Sequence, residues 1–117
     1  MAEKVGILGL GLIGRVAAEK LMPEGYECIA VRRPSTEDFP EVGGKLAETA
    51  RELAEVSDIV ISALPNVESA KTAMEGPDGL LAGAHDGLTI VEMNTFGVAV
   101  KEEIKALVDA TPASILD

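Results

Sequence analysis

The sequence contains few aromatic residues: it has no tryptophan, one tyrosine and two phenylalanines among 117 residues. Hydrophobic residues nevertheless make up 47% of the chain, so a core has to be built from Val, Ile, Leu and Ala. Such an aliphatic composition is typical of a parallel sheet that helices bury on both faces. The length predicts one domain with a core of its own.

Cysteine and histidine occur once each. A single cysteine excludes an internal disulfide and favours a cytoplasmic protein. Cys28 lies in an apolar run, which indicates a small core residue. His85 lies in a loop of glycine and aspartate, and we interpret it as solvated rather than catalytic. No group of residues has the spacing of metal ligands, so no metal site is predicted.

Positive charge is also scarce, because 10 basic residues face 20 acidic ones and the formal net charge is −10. A surface of that sign repels nucleic acid and anionic lipid, which makes both poor partners. No apolar run is long enough for a membrane span or a signal peptide. A bound anion must therefore be held locally, by a helix N-terminus or by a few clustered cations.

Short apolar runs alternate along the chain with stretches of helical periodicity. The runs predict strands over residues 5–8, 28–31, 58–63, 89–93 and 114–116. The periodic stretches predict helices over residues 13–21, 50–56, 67–74 and 100–108, with Thr49 and Glu52 spaced as a capping box at the start of the second. Loops are predicted over 32–44, with at most a short helix at 35–39, and over most of 76–87. The alternation predicts an α/β fold with a doubly wound parallel sheet in a single domain.

The first predicted strand is followed at once by Gly9-Leu10-Gly11-Leu12-Ile13-Gly14. This G-x-G-x-x-G spacing, between a strand and a helix, is typical of a Rossmann-type dinucleotide site. Gly9 permits a tight turn, Gly11 lets the backbone approach a pyrophosphate, and Gly14 lets the helix pack closely on the strand. The alternative is a glycine-rich turn that binds nothing.

The second predicted strand ends in Arg32-Arg33, where domains that bind NAD or FAD usually carry an acidic residue. Two guanidinium groups suit the 2′-phosphate of NADP, which they can grip with charge-assisted hydrogen bonds. Ser35 and Thr36 can add hydroxyl donors. We therefore expect NADP in preference to NAD. The alternative is that the pair is solvated and only balances the acidic residues that follow it.

Two later strands end in Leu64-Pro65-Asn66 and in Asn94-Thr95. Ligands of open α/β sheets bind at the carboxyl ends of the strands, so these residues are predicted to border the cofactor's ribose and nicotinamide. Pro65 and Asn66 can also stop a strand and cap a helix, which is compatible with binding.

These segments, together with Ser57-Asp58-Ile59-Val60-Ile61 and the segment from Asp78 to Ala84, resemble the β-hydroxyacid dehydrogenases. This is the 3-hydroxyisobutyrate dehydrogenase group, related to 6-phosphogluconate dehydrogenase, and the resemblance covers the whole chain. It implies that residues 9–14 hold the pyrophosphate and that Arg33 matches an arginine of members that use NADP. It also implies that Pro65, Asn66 and Thr95 line the nicotinamide end. Asn94 stands where the family has a serine thought to touch the substrate carboxylate.

The resemblance further implies a helical C-terminal domain, which carries the family's catalytic lysine and most of its substrate pocket. No catalytic residue is expected within residues 1–117, and the chain looks truncated before that domain. We expect an NADP-dependent oxidoreductase that acts on a small hydroxyacid or its oxo partner, whose present segment binds cofactor without turnover and can form a homo-oligomer. The alternatives are the cofactor domain of an imine reductase and a non-catalytic dinucleotide-binding or sensing module.

Overall fold

A computed structural model describes residues 3–93 and 97–116, so the predictions for Asn94 and Thr95 lie outside the described residues. The described residues form a six-stranded sheet with strands β1 Lys4–Leu8, β2 Glu27–Val31, β3 Lys45–Ala47, β4 Ile59–Ser62, β5 Thr89–Glu92 and β6 Ser114–Leu116. Its α-helices are α1 Leu12–Leu21, α2 Ala50–Val56, α3 Val67–Met74 and α4 Val98–Asp109.

All neighbouring strands run parallel, in the order β3-β2-β1-β4-β5-β6. The chain thus starts in the middle of the sheet, winds outward to β3, crosses back past β1, and winds outward again to β6. This is the strand order of the Rossmann fold, and its switch point lies between β1 and β4. The predicted doubly wound α/β fold is confirmed.

Each face of the sheet carries its own apolar cluster. On one face, under α1, Val5, Ile7, Cys28 and Ala30 are buried together with Phe39. On the other face, a larger cluster joins the strands to α2, α4 and the short 3-10 helix Leu80–Gly83, with Leu53, Val60, Ile90 and Ile104 fully buried. Cys28 is a core residue as predicted, and burial raises the pKa of its thiol.

The segment between β2 and α2 differs from the prediction. Instead of one short helix at 35–39, it contains two 3-10 helices, Pro34–Thr36 and Phe39–Val42, each with a proline in its first turn. A three-residue strand, β3, then pairs with the outer edge of β2. The sequence gives no signal for β3, because Lys45-Leu46-Ala47 is too short to show a period of two.

The other helices begin close to where the sequence places them. Thr49 caps α2, since its Oγ1 accepts a hydrogen bond from the Glu52 amide at 3.1 Å, as the capping-box spacing predicts. No helix within residues 3–93 and 97–116 has the length and apolar character that crossing a membrane would need.

Candidate functional site

An open groove of about 1310 Å³ runs along the carboxyl ends of the strands, across the switch point of the sheet. Most of the residues predicted to bind a cofactor line it: Gly9, Leu10, Gly11, Leu12, Ile13, Arg32, Arg33, Ser35, Leu64, Pro65 and Asn66. Gly14 lies in α1 and is not among the lining residues, and Thr95 lies outside the described residues. The structure therefore brings three sequence segments, distant along the chain, to one surface.

The glycine loop forms the floor of the groove, and its three glycines have different surroundings. Gly9 has a φ of +98°, and a Cβ there would lie 2.6 Å from the carbonyl oxygen of Ala63. A Cβ on Gly14 would collide with the carbonyl oxygen of Gly9 and lie 2.9 Å from the side chain of Ile7. The left-handed turn beside Ala63 therefore requires Gly9, and the packing of α1 on β1 requires Gly14.

Gly11 is different, because a Cβ built on it would have no heavy atom within 4 Å. Its backbone is extended, with φ −93°, and it forms the N-cap of α1 without a capping side chain. Neither local sterics nor backbone strain explains a glycine at this position. Gly11 directly precedes the first turn of α1, whose amides are hydrogen-bond donors without partners inside the helix.

The two arginines after β2 are not equivalent. Arg32 donates from Nε to Oε1 of Glu48 at 2.9 Å, in an ion pair whose side chains are 51% and 64% exposed. The guanidinium of Arg33, by contrast, has no bonding partner among the described residues. Of the predicted pair, only Arg33 is available to an anionic ligand without breaking an existing contact.

A third arginine holds the segment that carries Arg33 against α1. Arg15 donates from Nη2 to the carbonyl oxygen of Ser35 at 2.9 Å and to Oδ1 of Asp38 at 3.0 Å. The hydrogen bond from Arg15 lowers the pKa of the Asp38 carboxyl group. The contact joins the glycine-loop helix to the end of the groove that Arg33 and Ser35 line.

Thr36 does not supply the free hydroxyl donor that the sequence suggested. The residue is buried, its Oγ1 accepts from the Arg33 amide at 2.8 Å, and it donates to the carbonyl of Val31 at the same distance. The hydroxyl is used to shape the turn after β2. Ser35 lines the groove, as predicted.

On the other side of the switch point, Asn66 caps α3: its Oδ1 accepts from the Ser69 amide at 2.8 Å. The capping interpretation of Leu64-Pro65-Asn66 is confirmed. The cap fixes the side chain while the exposed residue still lines the groove next to Leu64 and Pro65.

The interpretation of His85 as solvated is wrong. The half-buried ring places Nε2 at 2.9 Å from the carbonyl oxygen of Ser57 and 3.1 Å from that of Ala54, at the C-terminal end of α2. Its Nδ1 lies 3.1 Å from the carbonyl oxygen of Asp86. These carbonyls, Asp86 first, raise the pKa of the imidazole. Helix carbonyls without partners attract such a donor, and the residue is not part of the groove.

Sequence reasoning missed Glu48, which lines the groove, and Arg15, which does not line it but holds the segment of Ser35 that does. Glu48 lies beside Arg32 only because β3 pairs with β2, and β3 has no readable sequence pattern. Arg15 follows the glycine motif directly, but its partners Ser35 and Asp38 lie in the irregular segment whose path the sequence does not determine.

Comparison with known proteins also indicates that the groove belongs to a dinucleotide-binding domain. Residues 4–117 match the family model for the NAD binding domain of 6-phosphogluconate dehydrogenase. An uncharacterized oxidoreductase of Bacillus subtilis is 34% identical over 105 residues, which are 88% of this chain and 37% of that protein. The mitochondrial 3-hydroxyisobutyrate dehydrogenase of Mus musculus is 31% identical over 121 residues, covering 100% of this chain and 36% of that protein.

Solved structures share the fold at lower sequence identity. An imine reductase variant from Myxococcus stipitatus, in complex with NAD⁺, superposes with a TM-score of 0.86 at 16% identity, over 98% of this chain and 39% of that one. The imine reductase from the same organism in complex with NADP⁺ gives 0.83 at 17% identity, over 96% and 39%. The chain thus spans less than half the length of these relatives.

The strand order, the glycine loop at the switch point and the match over nearly the whole chain agree with one another. They also agree with the resemblance to β-hydroxyacid dehydrogenases that the motifs carry. The chain belongs to the family of NAD-binding domains of 6-phosphogluconate dehydrogenase and its relatives, and it is a nicotinamide-dinucleotide-binding domain of the oxidoreductase type.

Proposed function

We propose that the groove binds NADP in preference to NAD, for hydride transfer to or from a small hydroxyacid or its oxo partner. The observation that carries the cofactor choice is the guanidinium of Arg33 at the end of β2, which has no partner within residues 3–93 and 97–116. In a chain of net charge −10, a cation left without an internal partner beside a groove favours an anionic ligand.

The pyrophosphate of the cofactor is assigned to the open space above Gly11. The first turn of α1 follows Gly11 directly, and a helix N-terminus attracts negative charge. The first turn of α1 contains no acidic residue that would oppose it. Dinucleotides bound in this manner extend from the glycine loop toward the end of β2 on one side and toward β4 on the other.

The adenosine ribose then lies at the end of β2, where Arg33 and Ser35 line the groove. Arg33 meets the 2′-phosphate with charge-assisted hydrogen bonds, and Arg15 fixes the segment that positions it. The nicotinamide half extends toward Leu64, Pro65 and Asn66, and Thr95 and Asn94 remain proposals for the nicotinamide and the substrate. The similar solved structures hold NAD⁺ in one case and NADP⁺ in the other, so the preference rests on the charges of this chain.

A hydroxyacid substrate is supported by the curated relative that acts, by its name, on 3-hydroxyisobutyrate. Carbonyl reduction also requires a proton donor at the oxygen, and we place that donor outside the described residues. Within residues 3–93 and 97–116, His85 lies away from the groove, Cys28 is buried, and Lys71 is bound to Glu103 at 2.6 Å. An imine substrate is the second candidate, favoured by the fold similarity to imine reductases.

The cofactor proposal is tested by calorimetric titration of the unaltered chain with NADPH and with NADH. We expect NADPH to bind at least several-fold more tightly. Equal affinities for the two cofactors would contradict the proposed preference, and failure of both to bind would contradict the assignment of the groove.

The proposal that the proton donor lies outside the described residues is tested by NADPH-linked turnover. We expect this chain alone to convert neither 3-hydroxyisobutyrate and its semialdehyde nor a cyclic imine, because the proton donor is not in place. Measurable turnover of either class would show that residues 1–117 contain a catalytic acid, and the substrate converted would distinguish the two candidate reactions.

A further inference from the structure

Glu48 occupies a position in the groove that the family resemblance does not account for. It follows β3 directly, and β3 is in register with β2 so that Val31 faces Ala47. The backbone continues this pairing beyond the strands, since the Arg32 amide donates to the carbonyl oxygen of Ala47 at 2.7 Å. A carboxylate therefore stands beside the end of β2, supplied by the neighbouring strand.

Domains that bind NAD commonly place an acidic residue at the end of β2, where its oxygens accept hydrogen bonds from the ribose hydroxyls. In this chain the residue at that point of β2 is Arg32, and the acid comes from one strand further out. The Glu48 side chain is 64% exposed, lines the groove, and uses Oε1 to accept from Arg32. One carboxylate thus neutralises one of the two arginines.

We infer that Glu48 sets the cofactor preference of the groove, an inference that rests on the proposed function. By pairing with Arg32, Glu48 leaves Arg33 as the single cation for a 2′-phosphate and weakens the binding of NADP. The same carboxylate offers an acceptor to the 2′-hydroxyl of NAD. The groove therefore accepts both cofactors, with a preference smaller than two free arginines would give.

The test measures the ratio of the dissociation constants for NADH and NADPH in Glu48→Gln, Arg32→Gln and the unaltered chain. Glu48→Gln removes the charge and frees Arg32, so NADPH should bind about two- to fivefold more tightly, the range that one exposed charge pair contributes. Its NADH affinity should not rise. Arg32→Gln should move the ratio in the opposite direction, toward NADH, because Glu48 then faces the ribose without its partner.

Glu55→Gln is the matched control. Glu55 also forms an exposed ion pair with an arginine, Arg51, but neither residue lines the groove. The Glu55 variant should leave the ratio unchanged. Thermal unfolding of all variants checks that the fold is retained. Retention is expected because the substituted side chains are exposed.

A ratio in Glu48→Gln equal to that of the unaltered chain, or a shift of the same size in Glu55→Gln, would overturn the inference while leaving dinucleotide binding in place. A shift of both the Glu48 and Arg32 variants in the same direction would also overturn it. If the unaltered chain binds neither cofactor, the proposed function fails and this inference fails with it.

Discussion

The amino ends and the carboxyl ends of the strands, called here the amino edge and the carboxyl edge of the sheet, use their polar groups in different ways. At the amino edge the polar groups bind one another: the Lys4 amide donates to Oδ2 of Asp58 at 3.0 Å, and Lys45 pairs with Glu27 across the first residues of β3 and β2. His85 covers the carbonyls at the end of α2. At the carboxyl edge, Gly11 leaves an open space and Arg33 has no partner among the described residues.

Groups that bind one another within the chain stabilise the fold, whereas groups left without partners are available to a ligand. This division follows from the parallel sheet, because the helix N-termini and the loops that vary in length both lie at the carboxyl ends of the strands. Changes to groups without partners at the carboxyl edge should therefore alter affinity with little effect on stability, and changes to paired groups at the amino edge should do the reverse.

The largest effect is expected for Gly11→Val. The branched side chain would fill the space assigned to the pyrophosphate, so NADPH affinity should fall roughly a hundredfold or more, about 2.7 kcal/mol. The melting temperature should change little, since a Cβ at Gly11 meets no atom within 4 Å. Calorimetry and thermal unfolding measure the two quantities.

Gly97→Val is the matched control, because Gly97 is also a helix N-cap with open space around its Cβ position and lies outside the groove. It should retain NADPH binding. Normal affinity in a folded Gly11 variant would show that the loop is not the phosphate site.

The next effect is expected for Arg33→Ala. A charge-assisted hydrogen bond is worth about 1.5–3 kcal/mol, so NADPH should bind roughly ten- to a hundredfold more weakly while NADH affinity stays the same. Arg51→Ala removes an exposed arginine outside the groove, and it should change neither the affinity for NADPH nor the affinity for NADH. Equal losses for NADPH and NADH in the Arg33 variant would show that Arg33 does not contact the 2′-phosphate.

Gly14→Ala should act on stability, although it lies only three residues from Gly11. The new Cβ collides with the carbonyl of Gly9, and overpacking against backbone costs about 1–3 kcal/mol. Urea unfolding should therefore show a lower free energy of unfolding than in Gly11→Ala. Equal stability of the two alanine variants would contradict the close packing of α1 on β1.

The smallest effect is a pH dependence from His85. Its pKa is raised in the folded state, so its contribution is complete below the unfolded pKa of about 6.5 and is lost as the pH rises through the higher folded value. A protonated histidine at a helix C-terminus contributes about 0.3–1 kcal/mol. Stability should decline by about this amount as the pH rises from the unfolded pKa through the higher folded pKa, and His85→Gln should abolish the decline. If the dependence of stability on pH is the same in that variant, the contact of His85 with the carbonyls at the end of α2 is excluded as its cause.

The sequence was most informative where sterics require one residue type. Gly9 and Gly14 are needed by a left-handed turn and by close packing, and their spacing after an apolar run was enough to predict both the fold and the location of the groove. Short apolar runs likewise predicted five of the six strands that the described residues form.

The charged contacts were not predictable in the same way. Arg32 and Arg33 are adjacent in sequence, yet within the described part of the chain only Arg32 has an ion-pair partner, because Glu48 directly follows a strand that is only three residues long. His85 was misinterpreted for a similar reason: its partners at the end of α2 are backbone carbonyls about 30 residues earlier in the chain. Contacts of this kind depend on how the elements meet in space.

The most direct test of the difference between the edges is a titration of ¹⁵N-labelled protein with NADPH, followed by amide NMR shifts. The account predicts that the largest shifts fall on Gly9 to Gly14, on Arg32, Arg33 and Ser35, and on Asn66. Asp58 and His85, at the amino edge, should not shift. Shifts concentrated at the amino edge, or spread evenly over both edges, would contradict the assignment of the cofactor to the carboxyl edge.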